Sequence, residues 1–231
     1  MVLIRFGELT LKGKNRSRFE EAVIKVIRRR LHSFPEIKLE NSFGRVILTL
    51  NGADFHEVAK KLDTVFGLSS YSPVERCELE PERIREAAAE MLRKLETPPR
   101  TFKVSVKRTN KKFPLDSMEL NTYVGGYVLS QFPGMKVDVK HPELELRIEV
   151  RDHEVYLYCE SYPGLGGYPY GTNGKAMLLL SGGIDSPVAG FLALKRGLYV
   201  EAVHFHSYPY TSERAQQKVR ELVDRLTNYS G

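Results

Sequence analysis

The chain has few cysteines. Cys77 and Cys159 are the only two in 231 residues and stand far apart, which excludes a disulfide framework and a four-ligand zinc pattern. Both read as small buried hydrophobes. There is no apolar run near the roughly 20 residues that cross a bilayer. The start, MVLIRFGELT, reads as a strand and a turn rather than a charged leader with a long apolar core. The expectation is a cytoplasmic protein with no membrane partner. Internal repeats and low-complexity tracts are also missing, and 42% hydrophobic with 28% charged residues excludes wholesale disorder and a fibrous fold.

Acidic residues are scarce where basic ones gather. Lys and Arg total 35 against 29 Asp and Glu, a net charge of +6, which biases the protein toward anionic partners such as nucleic acid. Residues 1–31 hold nine basic side chains and three acids, and residues 100–114 hold six basic side chains and none. Two basic patches are therefore expected, one around Lys12, Lys14, Arg16 and Arg18, the other at Lys107, Arg108, Lys111 and Lys112 beside Phe113. A single charge run of this kind is usually a solvated surface. Tyr123 and Tyr127, on a predicted helix, read as core rather than as base-stacking platforms.

Hydrophobic periodicity predicts a strand at 2–6, a charged turn from Glu8 to Asn15, and a helix with Phe19, Val23, Val26, Ile27 and Leu31 on one side. Strands at 37–41 and 45–50 follow, then a helix opened by Asn51-Gly52 with Phe55, Val58, Ala59 and Leu62 inward, and a strand near 70–77. This order predicts a ferredoxin-like α+β unit over 1–77. A second α+β unit, 78–162, begins with a helix at Pro81 that carries Ile84, Ala88 and Leu92. It continues through a strand at Phe102–Val106 and a helix capped by Asp116 and Glu119, where Gly125-Gly126 suggests a close backbone approach. A hairpin of 144–150 with 155–159 closes the unit.

The Gly- and Pro-rich stretch 163–174 reads as a linker. Beyond it, 175–231 offers a buried strand at Ala176–Leu180, the loop Ser181-Gly182-Gly183-Ile184-Asp185-Ser186, a helix from Pro187, a strand at Tyr199–Phe205 and a helix from Ser212 to Leu226. That is one β-α-β unit of a parallel sheet followed by a further helix. At a strand-to-helix junction, backbone amides and the positive helix end converge on an anion. Two glycines keep Cβ atoms out of the way, and two serines offer hydroxyls. The loop is thus a candidate phosphate site, and Asp185, facing the same phosphates, implies a bridging Mg²⁺. A Walker loop is excluded by Pro169 and Ala176, and a Rossmann pattern from Gly164 and Gly166 also fails at Pro169.

SGGIDS resembles the pyrophosphatase loop (PP-loop) of ATP-dependent adenylating enzymes. The segments RFGELTLKGKNRSRFE (5–20), KRTNKKFPLDSMELN (107–121) and HFHSYPYTSERA (204–215) resemble the ferredoxin-like, THUMP and catalytic parts of the tRNA 4-thiouridine synthase family. The resemblance implies transfer of AMP from ATP to the C4 oxygen of a tRNA uridine, then displacement of AMP by persulfide sulfur supplied by a cysteine desulfurase. It also links the family to the thiazole of thiamine. By position, Leu179, Leu180, Ser181, Gly182, Gly183, Asp185, Ser186, His204 and Phe205 would contact the nucleotide, with Asp185 catalytic and metal-holding. The bland reading of His204 and His206 is that of polar strand ends. Only 57 residues follow Gly174, against well over about 100 for a doubly wound domain. The PP-loop domain is therefore expected to be incomplete, continuing past Gly231, with the persulfide cysteine outside this chain. A homodimer stays open. A tRNA-binding module with a residual loop, or an adenylating enzyme with a nitrogen nucleophile, are the alternatives.

Overall fold

A computed structural model describes residues 1–7, 16–42, 44–207 and 212–230. Its first elements are strand β1 (Val2–Phe6), helix α1 (Arg16–Arg30), β2 (Lys38–Ser42), β3 (Arg45–Thr49), α2 (Phe55–Leu62) and β4 (Leu68–Pro73). Then come β5 (Glu75–Cys77), α3 (Pro81–Arg93), β6 (Thr101–Arg108), α4 (Ser117–Gln131), β7 (Lys136–Val137), β8 (Leu144–Val150) and β9 (Val155–Tyr158). The last are β10 (Tyr162–Pro163), β11 (Lys175–Leu179), α5 (Asp185–Lys195), β12 (Tyr199–Val203) and α6 (Glu213–Thr227). They cluster into two compact units, one of Met1 and Ser72–Ser161, the other of Val2–Tyr71 with Tyr162–Gly231. No helix among the described residues is long and apolar enough to cross a membrane.

In the second of these units, five strands run in the order β10-β4-β1-β3-β2. Alternation along β1 sends Val2, Ile4 and Phe6 into one core with Phe19, Val23 and Ile27 of α1 and Val58 and Leu62 of α2. Helix α2 begins where Asn51 (φ 48°) and Gly52 (φ 99°) turn the chain. The Asp54 side chain then accepts the Glu57 amide at 2.9 Å. The single strand expected near 70–77 is in fact two. Pro73 ends β4 because it has no N–H for a ladder, and after Val74 the chain enters β5 in a different sheet.

The stretch expected to link the units is tied to this first sheet. β10 pairs antiparallel with β4, Tyr162 opposite Tyr71, and the two rings stack with centroids 5.4 Å apart. The Gly67 amide donates to Gly166 O and the Gly166 amide to Leu68 O, each at 2.7 Å. Further along, the Arg30 guanidinium donates to the carbonyls of Asn228 (2.7 Å) and Ser230 (2.5 Å), satisfying acceptors at the end of α6. Phe66 sets its ring 5.4 Å from Phe191 and 5.9 Å from Tyr229, an aromatic cluster joining the ferredoxin-like sheet to α5 and α6.

The other unit has the sheet order β5-β9-β8-β6-β7, with β6 parallel to both β7 and β8, and the expected hairpin β8–β9 antiparallel. Asp116 accepts the Met118 and Glu119 amides while Glu119 accepts the Asp116 amide, completing the predicted capping box at α4. Those bonds from the Glu119 and Met118 amides hold the Asp116 carboxyl below its usual range. The glycine pair on α4 is not required by packing. A methyl on Gly125 would meet Val104 at an ordinary 3.8 Å, and one on Gly126 would meet nothing within 4 Å. Tyr123 and Tyr127 are half-buried, their rings 5.1 and 4.8 Å from the Arg85 guanidinium of α3.

Replacing Arg30 with Met strands carbonyls at the end of α6. The expected cost is about 1.5–3 kcal/mol, read as a lower urea midpoint at unchanged slope. A wild-type midpoint would show that those carbonyls lose nothing without the guanidinium.

Candidate functional site

Strands β11 and β12 pair in parallel from Lys175 opposite Tyr199 to Leu179 opposite Val203, so both end at the same edge. Helices α5 and α6 lie over one face, where Leu178, Val200 and Ala202 line a cavity with Leu194, Val223 and Leu226. Gly190 makes this fit: a Cβ there would lie 2.7 Å from Leu178 Cδ2 and 3.1 Å from Leu226 Cδ1. On the opposite face Met177 and Leu179 are 58% and 64% exposed, so β11 is not the strand buried on both sides that its apolar run suggests. Both helices pack on one side, which leaves alternate side chains of β11 uncovered.

Leu180 N donates to Val203 O at 2.9 Å, and the Leu180 side chain is buried, leaving only its main chain at the edge. The Leu180 carbonyl accepts from Nδ1 of His204 at 2.8 Å, so this nitrogen carries a proton. Nε2 of His204 is buried with no partner among the described residues. His204 thus first clamps the ends of the two strands together. β12 stops at Val203, two residues short of the expected strand end, and Phe205 is 79% exposed.

The loop is organised by its two serines. The Ser181 amide donates to Ser186 Oγ at 2.9 Å, the Ser186 hydroxyl lies 3.1 Å from Ser181 O, and the two hydroxyls are 3.0 Å apart. The Gly183 amide reaches Ser181 Oγ at 3.3 Å. Gly182 and Gly183 are absent from the positive-φ residues, so what they contribute is an open main chain rather than a special backbone turn. α5 starts at Asp185, whose exposed carboxylate sits in the first turn and makes no ion pair among the described residues. A feature the sequence reading missed is Lys218 of α6, whose stem lies beside the loop: a Cβ on Gly182 would be 3.9 Å from Lys218 Cδ.

The basic clusters are less uniform than their sequence. Lys107, Lys111 and Lys112 are exposed. Arg108 is half-buried and donates to Phe113 O at 3.1 Å, tying the turn, while Phe113 itself is buried in the core. Arg16 pairs with Glu20 at 2.6 Å, Arg18 is exposed, and Lys12 and Lys14 lie outside the described residues.

The sequence matches the ThiI ferredoxin-like domain over residues 1–72, the THUMP domain over 80–160 and the thiamine biosynthesis protein (ThiI) over 171–231. Probable tRNA sulfurtransferases of Brevibacillus brevis and Geobacillus kaustophilus are 48% and 50% identical to it across the whole chain. The chain belongs to the ThiI family. It spans 58% and 57% of the length of those two relatives. A 4-thiouridine synthetase crystallised with RNA and bound ATP superimposes over 99% of this chain and 58% of its own, with TM-score 0.80 and 38% identity. A Pyrococcus horikoshii protein gives TM-score 0.84 and 33% identity over 99% of this chain and 74% of its own. The expected ferredoxin-like, THUMP and parallel-sheet classes are those of the ThiI family.

Cys77 and Cys159 are both half-buried. Burial, with neighbouring acids adding to it, pushes the thiols of Cys77 and Cys159 up to about 12. At pH 8 the thiolate fraction is then about 10⁻⁴, against about a quarter for a free cysteine. Labelling by an aromatic disulfide reagent at pH 8 is expected to be at least about 100-fold slower in the native protein than in urea. Equal rates would place both thiols in solvent.

Proposed function

We propose that this chain is the ATP- and tRNA-holding part of a tRNA uracil 4-sulfurtransferase. In this reading the uracil C4 oxygen attacks the α-phosphorus of ATP, pyrophosphate leaves, and the adenylated C4 then loses AMP to an incoming sulfur nucleophile. The supporting observation is the SGGIDS loop at the shared edge of β11 and β12, in a chain similar throughout its length to proteins named probable tRNA sulfurtransferase. That edge is where open parallel sheets take ligands. Main-chain amides, hydroxyls and the start of α5 there suit a polyphosphate, and donors fixed in advance of the reaction stabilise charge gathering on departing pyrophosphate. A 4-thiouridine synthetase of similar fold, crystallised with RNA and ATP, supports both ligands.

The residues present fit Mg²⁺ in one way only. Among the described residues no group of three His, Cys, Asp or Glu comes together, so these residues offer no all-protein cage there. A lone exposed carboxylate such as Asp185 suits an ion that keeps several waters and bridges substrate phosphates. Bound there, Mg²⁺ would neutralise pyrophosphate charge. Leu179, Leu180, His204 and Phe205 border the same edge and would flank the nucleoside, with His204 acting through the Leu180 carbonyl.

Sulfur from a cysteine desulfurase would enter through a cysteine outside this chain. The thiamine name of the matched family supports a second use of that sulfur in the thiazole ring. The basic turn after β6 would hold tRNA phosphates, together with the patch around Lys12, Lys14, Arg16 and Arg18.

In the full-length protein, Asp185→Ala is expected to abolish 4-thiouridine formation, read by mass spectrometry of digested tRNA, at an unchanged melting temperature because the side chain is exposed. Retained thiolation would remove Asp185 from the reaction. Thiouridine absent even from wild type incubated with ATP and a sulfur donor would favour a non-catalytic tRNA-binding module.

Reversing Lys107, Lys111 and Lys112 to Glu, with Arg108 left to hold its turn, is expected to weaken tRNA binding about tenfold or more at low salt, with ATP affinity kept. The log-affinity against log-salt slope should flatten. Unchanged tRNA affinity would place the RNA elsewhere.

A further inference from the structure

The loop proposed to grip ATP has a charge deficit of its own. Its one ionised side chain, Asp185, is an anion, and a polyphosphate would add several more negative charges beside it. Main-chain amides and the start of α5 offer only partial charges in return. A full positive charge within the protein would offset the repulsion, and the fold returns one to the loop. Helix α6 is started by Ser212, whose hydroxyl accepts the Ala215 amide at 3.3 Å. Its rotation is set by buried Val219 and by Val223 and Leu226, which face β11 and β12. Lys218, next to Val219, is thereby carried to the edge where the strands end, its Cδ 3.9 Å from where a Cβ on Gly182 would stand. Its neighbours Arg214 and Arg220 point elsewhere, lining a separate polar cleft with Glu213, Gln216 and Gln217.

We propose that Lys218 is a phosphate-contacting residue of the nucleotide site, its ammonium supplying the positive charge that Ser181–Ser186 lacks. The assignment rests on the reading of this loop as an ATP site. The stem lies along the loop at Gly182 while the head stays in solvent, exposed and without an ion pair among the described residues. A compact ammonium with three donors can follow the phosphates as pyrophosphate departs, where a planar guanidinium is committed to one orientation. The loop and Lys218 are more than 30 residues apart in sequence, so no local motif contains both.

The test is calorimetric titration of the full chain, with Mg²⁺ present, against ATP, inorganic pyrophosphate and adenosine. The variants are Lys218→Met, which keeps the stem without the charge, Lys218→Arg, and Arg220→Met as a control on the same helix. Lys218→Met is expected to lose about tenfold or more in affinity for ATP and pyrophosphate. Adenosine binding should stay at the wild-type level, Lys218→Arg should recover most of the loss, and Arg220→Met should match wild type. Wild-type ATP and pyrophosphate affinity in Lys218→Met overturns the assignment alone. An equal loss for adenosine overturns it too, because the role is then one of shape. Wild-type protein that takes up neither ATP nor pyrophosphate overturns the nucleotide reading, and Lys218 with it.

Discussion

Parallel pairing of β11 with β12 governs the chemistry available to this molecule. Two parallel strands cannot be joined by a tight turn, so the chain must cross over through α5 and re-enter at the far end. Both strands then run out at one edge, where the start of α5, the SGGIDS amides and the residues after Val203 are delivered together. The Leu180–His204 contact closes that edge from within, a ring nitrogen on one strand end bonded to a carbonyl on the other. A loop held this way is stiff before any ligand arrives, which is what an electrostatic site requires if it is not to spend its interaction energy on ordering itself.

The far ends of α5 and α6 are tied to the N-terminal part of the chain. Arg30 at the end of α1 meets the carbonyl end of α6, and Phe66 meets Phe191 and Tyr229. The Arg30 bonds join residues 198 and 200 apart in sequence. The orientation of α6, and so the position of any side chain it presents to the loop, is therefore tied to residues of the N-terminal sheet.

Much of this was legible before any coordinates. The alternation of Val2, Ile4 and Phe6, the Asp116/Glu119 box and the strand–SGGIDS–helix order are local signals, and each became the element it announced. What stayed hidden depends on tertiary packing. The two-residue strands β7 and β10 have no period to read. The division of 68–77 turned on Pro73, which could as well have sat at a strand edge. Arg108 looked like its lysine neighbours until its guanidinium was seen bonded to Phe113 O. Exposed Met177 and Leu179 gave no warning, because an apolar residue in a strand carries no record of which face the helices will choose. Lys218 was one basic residue among many on a helix.

The pairing of β10 with β4 gives the chain an economy of route. The backbone leaves the first sheet after Pro73 and comes back at Tyr162, opposite Tyr71 of the same strand, so its return lies one strand spacing, about 4.8 Å, from β4. Ser72–Ser161, with Met1, form the other compact unit, so what the chain inserts there is a folded body. The closure entropy charged to the host sheet is that of one compact body rather than of a long floppy loop. Such a junction lets the inserted module be exchanged, enlarged or reshaped over evolutionary time while the host keeps its own strand order, as hairpin tips elsewhere accept whole inserted domains.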